Sequence, residues 1–97
     1  MDEVIINEAG GKQSKVRGDF TLIPPEVLRD VAVVLGQGAA RYGKSNWMLI
    51  PATEHINHAL AHINKHLMDD ESEPHLTNAI CRLMFASHME KYHDGSK

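Results

Sequence analysis

Four of the chain's seven histidines fall in one stretch, EHINHALAHINKH, at positions 55, 58, 62 and 66. Spacings of three and four residues put side chains on one side of a helix. Imidazole changes charge near neutral pH, so a histidine stripe can ligate a metal, grip an anion when protonated, or carry a proton. At the ordinary helical step the four histidines span a sector of about 80°. Ile56, Ala59, Leu60, Ile63 and Leu67 form an apolar sector centred about 110° further round. The stripe thus follows the border between core and water, where side chains are half desolvated and can line a cleft.

A second stripe follows. His75, Asn78 and Arg82 stand at i, i+3 and i+7, beside the apolar set Leu76, Ala79, Ile80 and Leu83. The acidic link MDDESE is short enough to make the two helices antiparallel neighbours. Facing stripes would bring His66 and His62 nearest His75 and Asn78, with His58 nearer Arg82. Three chemistries compete for that juxtaposition. His58 and His62 can share a divalent ion, with His75 or one of Asp69, Asp70, Glu71 and Glu73 as a third ligand. Arg82, Lys12, Arg17 and protonated histidines can grip phosphates. Alternatively the histidines only hydrogen-bond to neighbouring helices and water. His58, His62 and His75 together are the expected functional set. His55 and His66 are expected at the rim, and His88 and His93 are set aside as ordinary.

The segment ARYGKSNW adds Tyr42 and Trp47 around a glycine turn, with Arg41 and Lys44 beside them. An aromatic ring flanked by cations can stack a base and hold its phosphates; the same tryptophan can equally plug a helix junction. Glu26 and Asp30 form an i, i+4 acid pair able to hold a hard cation, or simply suit the start of a helix. Other motifs fail their own requirements. GGKQ lacks the upstream glycine and the Ser or Thr of a phosphate loop. HALAH lacks the glutamate of a zinc protease helix. His93 and Asp94 lie too near position 97 for an HD-type metal site, and the ExxH at Glu90–His93 is one of four contributions that a di-iron bundle needs.

These groups need three helices to position them. Residues 1–23 read as an irregular N-terminal arm with several glycines, and only EVII and FTLI hint at strands. Pro24 and Pro25 open the first helix, which carries Val27, Leu28, Val31, Val34 and Leu35 at helical spacing and stops at Gly43. Gly36 and Gly38 inside it suggest a kink or a close backbone approach. The second helix covers about 52–68. The third starts near Pro74, capped by Ser72 or Glu73, and runs through HLTNAICRLMFASHMEKY. The expectation is one all-α helical domain over 24–92 with a flexible tail at 93–97. A chain of 97 residues buries little surface, so the bundle is expected to be completed by homo-oligomerisation. A net charge of −3 argues against a nucleic-acid polymer as partner. The single cysteine, Cys81, is expected in the core of a protein from a reducing compartment. No apolar run is long enough to span a membrane, and the acidic start is unlike a signal peptide. A cytoplasmic location follows.

As an ordered set, DFTLIPPEVLRDVAVVLGQGAARYGKSNW, INHALAHINKHL and EPHLTNAICRLMFA resemble a small phage-encoded family, the dATP/dGTP diphosphohydrolase N-terminal domain. The resemblance covers about residues 12–88 and matches Glu26, Trp47, His58, His62, His75 and Asn78. It implies a helical enzyme in the cytoplasm of an infected bacterial host, distantly similar to MazG-type pyrophosphohydrolases. Such an enzyme splits a purine deoxynucleoside triphosphate into monophosphate and pyrophosphate with a divalent metal. The acid pairs of MazG-type sites are absent from the histidine helix and from HLTNAICR. The expected roles are therefore as follows. Glu26 and Asp30 hold Mg²⁺ or Mn²⁺, and His62 and His75 are catalytic. Lys12, Arg17, Tyr42, Trp47, His58, Asn78 and Arg82 bind the nucleotide. The alternative is a protein that binds or sequesters a nucleotide without turnover, including a defence-signal nucleotide.

Overall fold

The computed structural model describes residues 3–93. The N-terminal arm, expected to be irregular, contains a short hairpin. Val4–Ile6 (β1) and Lys12–Ser14 (β2) pair antiparallel, with Ile5 opposite Gln13. Asn7 closes the turn, its side-chain oxygen accepting from the Ala9 and Gly11 amides at 3.0 and 2.8 Å. EVII thus contributes a strand, whereas FTLI does not. Asp19 accepts from the Thr21 amide at 3.1 Å and caps a single tight turn over Phe20–Leu22. Every residue of both strands is exposed.

Three helices follow: α1 (Pro25–Tyr42), α2 (Ala52–Leu67) and α3 (His75–His88), the last continued by a wide π-type turn over Met89–His93. Gly43 ends α1 at φ 100°, a left-handed conformation that glycine adopts without strain. Gly36 and Gly38 mark no close approach, because a Cβ on either would meet nothing within 4 Å. Pro74 itself caps α3, with no side-chain cap hydrogen bond from Ser72 or Glu73. The expected tail at 93–97 begins inside the π-type turn; residues 94–97 and the His93 side chain lie outside the described residues.

α2 ends in a Schellman motif. The Asp69 amide donates to His66 O and the Asp70 amide to Lys65 O, both at 3.0 Å, with Asp69 left-handed at φ 61°. The chain thereby reverses at once and lays α3 antiparallel along α2. The face that α2 offers to α3 is not the aliphatic one. Its buried residues are Ala52, His55 and Ala59, while Leu60 and Leu67 are 58 % and 74 % exposed. Opposite them α3 buries His75, Ala79 and Ala86. Alanine on both sides lets the two backbones approach, and the helices rotate about their axes to use that seam. The rotation leaves Leu76, Ile80 and Leu83 of α3 exposed as well. In an antiparallel pair these aliphatic positions fall on the same side as Leu60 and Leu67.

α1 packs across the other side of α3. Val31 is its one buried residue, and Cys81, buried as expected, meets the Val31 carbonyl at 3.9 Å. Of the expected α1 stripe, Val27 and Leu28 remain exposed. The core is thin: Ala52, Ala86 and Met89 cluster with Trp47 and Ile56, and the largest fully buried side chain is His55. The radius of gyration is 17.6 Å, against about 12–13 Å for a compact domain of this length. No helix among the described residues is long and apolar enough to cross a membrane.

Candidate functional site

α1, the 43–50 connector, α2 and α3 enclose a cleft of roughly 800 Å³, within the range of small-molecule sites. Its walls carry Tyr42, Trp47, His62, Glu73, Asn78 and Arg82. A shallower pocket of about 470 Å³ lies at the α2–α3 turn, lined by Asp69, Asp70, Glu71 and Glu73. Four carboxylates there would repel a phosphate, so the larger cleft is the anion-compatible one.

The aromatic wall forms where the connector crosses α3. Trp47 stacks on Phe85 with centroids 4.7 Å apart and planes 9° from parallel, and His88 meets it edge-on at 5.0 Å. Trp47 therefore both plugs the junction and lines the cleft. Tyr42 stays exposed, with the Arg41 guanidinium 5.1 Å above its ring.

His55, expected at the rim, is fully buried. Arg82 Nη1 lies 3.0 Å from its Nδ1 and the Trp47 carbonyl lies 2.9 Å from its Nε2. Arginine only donates and a carbonyl only accepts. His55 is therefore neutral, with its proton on Nε2. Burial pushes its pKa down; the Trp47 bond opposes this, while Arg82 and His58 add to it. Arg82 is fixed on the cleft wall by this contact, half-buried and itself pushed down by burial.

Nearer the turn, His62 Nδ1 and His75 Nδ1 approach to 2.9 Å. This is the juxtaposition the facing stripes predicted. His75 is buried at 2 % exposure, and its Nε2 lies 3.2 Å from Asp70 Oδ1 without the alignment of a hydrogen bond, so that contact is chiefly electrostatic. Asp70 accepts from the Ser72 amide at 2.8 Å and the Ser72 hydroxyl at 2.6 Å, and these bonds, with His75, hold its carboxyl far below the usual range. Burial lowers the His62 pKa, opposed by Glu73 and reinforced by His75, Lys65 and Arg82. Asn78 donates to Glu73 Oε1 at 3.3 Å.

The cleft thus unites five expected residues: Tyr42, Trp47, His62, Asn78 and Arg82, with His75 directly behind His62. It does not include His58, which is exposed on α2, nor Lys12 and Arg17, which are exposed on the arm. Glu26 and Asp30 are exposed on the first half of α1, whereas the cleft takes only the half from Val34 onward. Among the described residues no group of three or more His, Cys, Asp or Glu is placed to hold one metal ion. The acid pair does not fit a metal centre in this cleft. His55, Phe85 and His88 were missed by the sequence reading. Helical spacing places His55 on α2 but carries no sign of Trp47 or Arg82, which approach from other elements.

The architecture is that of a helical domain: a seam-packed antiparallel helix pair, crossed by a third helix over a cleft with an aromatic wall, a guanidinium and a histidine pair. The chain belongs to the family of dATP/dGTP diphosphohydrolase N-terminal domains, whose family model matches residues 7–97. No match was found among curated proteins or among solved structures.

Proposed function

We propose that this protein is a pyrophosphohydrolase of purine deoxynucleoside triphosphates, releasing monophosphate and pyrophosphate. The observation that carries the reading is the shared cleft: an aromatic wall at Trp47 and Tyr42, a guanidinium fixed at Arg82 and an imidazole at His62. A purine stacks on an aromatic face, worth about 1–3 kcal/mol. Arg82, already oriented by His55, meets a phosphate without first giving up side-chain freedom. Asn78 and Glu73 offer the polar groups that select a base edge or a sugar hydroxyl. His62, backed by His75, handles the proton of the attacking water. Mg²⁺ or Mn²⁺ would neutralise phosphate charge and would enter as part of the nucleotide complex, since Glu26 and Asp30 lie away from the cleft.

A second reading is nucleotide sequestration without turnover. It is favoured by the scarcity of carboxylates on the cleft wall, where Glu73 stands alone. One incubation separates the two. Purified protein is mixed with deoxy-, ribo- and cyclic nucleotides and Mn²⁺, and the free pool is analysed by mass spectrometry. The protein is then heat-denatured and its released ligands are analysed. New purine deoxynucleoside monophosphate with pyrophosphate is the expected result, lost on chelation and strongly reduced in Arg82→Ala. An intact nucleotide recovered only after heating would replace hydrolysis with sequestration. An unchanged pool in both reads would refute both.

A further inference from the structure

The acidic turn contributes to the cleft twice, through Glu73 on its wall and through Asp70 behind the histidine pair. Asp70 is placed by three local devices: the Schellman reversal at Asp69, the two hydrogen bonds it accepts from Ser72, and the start of α3 five residues later at His75. Together they hold one carboxylate oxygen 3.2 Å from the far nitrogen of buried His75. The near nitrogen of His75 faces His62 Nδ1 at 2.9 Å, and only one proton fits between those two nitrogens. An ionised carboxylate beside His75 Nε2 favours a proton there. His75 Nδ1 is then a lone pair, and His62 must donate from its own Nδ1. That leaves His62 Nε2 bare.

We propose that Asp70 is a positioning residue which, through His75, fixes the proton of the His62–His75 pair so that His62 presents a bare Nε2 to the cleft as proton acceptor. The proposal rests on the hydrolytic reading of the cleft. In that reaction a water gives its proton to His62 Nε2 while its oxygen bonds to the α-phosphorus. The bond from that phosphorus to the bridging oxygen breaks, and the electron pair leaves with pyrophosphate. The His62 Nδ1 proton can pass to His75 Nδ1 in the same step, so the positive charge comes to rest against Asp70. The other charged groups around the pair are Glu73, which favours protonation of His62, and Lys65 and Arg82, which oppose it. Arg41 and Lys44 stand on the cleft's far wall. Asp70 is the carboxylate that contacts His75.

Nitrogen-15 NMR of the histidine rings in the ligand-free full chain at pH 7.5, in chelator, reads the tautomers directly. We expect His75 protonated on Nε2 and His62 on Nδ1. In Asp70→Asn the His75 preference collapses to a mixture, while His55 keeps its Nε2 proton. Ser72→Ala keeps the carboxylate but loosens it, and gives a smaller change in the same direction. With nucleotide, Asp70→Asn lowers kcat by roughly tenfold, part of what a general base contributes. It also moves the acid limb of the pH profile to lower pH and leaves KM nearly unchanged. The opposite tautomers in the wild type, or tautomers unmoved in both variants, would overturn the proposal. A wild type with the expected tautomers that hydrolyses no nucleotide would instead refute the hydrolytic reading and leave the proton arrangement standing.

Discussion

Replacing His55 with leucine tests whether the centre of this protein is held by polarity rather than by bulk. The ring is fully buried, bonded at 2.9 Å to the Trp47 carbonyl and at 3.0 Å to Arg82. Leucine fills much of the space but leaves both partners unsatisfied. A neutral hydrogen bond contributes about 1 kcal/mol and one to a charged group about 1.5–3 kcal/mol. Allowing for leucine's own apolar burial, the expected destabilisation is about 3 kcal/mol. At about 4–8 °C per kcal/mol, Tm should fall by roughly 12–24 °C. Urea unfolding of the wild type, His55→Leu, Arg82→Leu and the double variant at pH 7.5 forms a cycle with an expected coupling of about 1.5–3 kcal/mol. Acid supplies an independent arm. The folded-state pKa values of His55 and His62 are both lowered, so the unfolded chain takes up protons first as pH falls. Their contribution is complete above about pH 6.5 and is lost below it, by at most about 1.4 kcal/mol per pH unit for each histidine. His55→Leu should flatten that slope. Single-variant effects that add within about 0.5 kcal/mol, with an unchanged acid slope, would refute the reasoning.

Two further outcomes follow from the same packing. Leu60, Leu67, Leu76, Ile80 and Leu83 leave an aliphatic face uncovered on the side of the helix pair away from the cleft, the kind of contiguous apolar surface that marks an interaction site; we expect light scattering to give a homo-oligomer for the wild type and a smaller species for Leu60→Glu, and a wild type that is monomeric at tens of micromolar would sink this expectation. Gly38→Ala has open space for its methyl, so it should raise stability by about 1 kcal/mol through helix propensity alone; calorimetry showing a loss would mean that the glycine meets something unseen in the isolated chain.

Helix boundaries were legible because proline and glycine punctuate them: Pro25, Gly43 and Pro51 stand within a residue of the observed ends. The facing of His62 and His75 was legible too, since a short link leaves antiparallel stripes little choice. Helical rotation was not. Periodicity assigns leucine and isoleucine to the inside, but the seam here is built of Ala52, Ala59, Ala79 and Ala86, and closeness of approach outweighs side-chain size. His55 was misread for the same reason. Its place on the wheel is a border, and the border became the centre. The hairpin was hidden because a three-residue strand with no buried face leaves only a trace of alternation.

A protein whose largest fully buried side chain is an imidazole locked to a cleft arginine has a consequence for how its sequence can change. In most domains, drift in the interior and drift at the binding surface proceed separately, and a stabilising exchange in one region offsets a harmful one in the other. Here the two regions meet in the His55–Arg82 pair. A substitution that improves packing at position 55 releases Arg82, and one that retunes the cleft at position 82 strands a buried ring. A saturation scan of these two positions should find few tolerated single replacements, and the survivors should be paired.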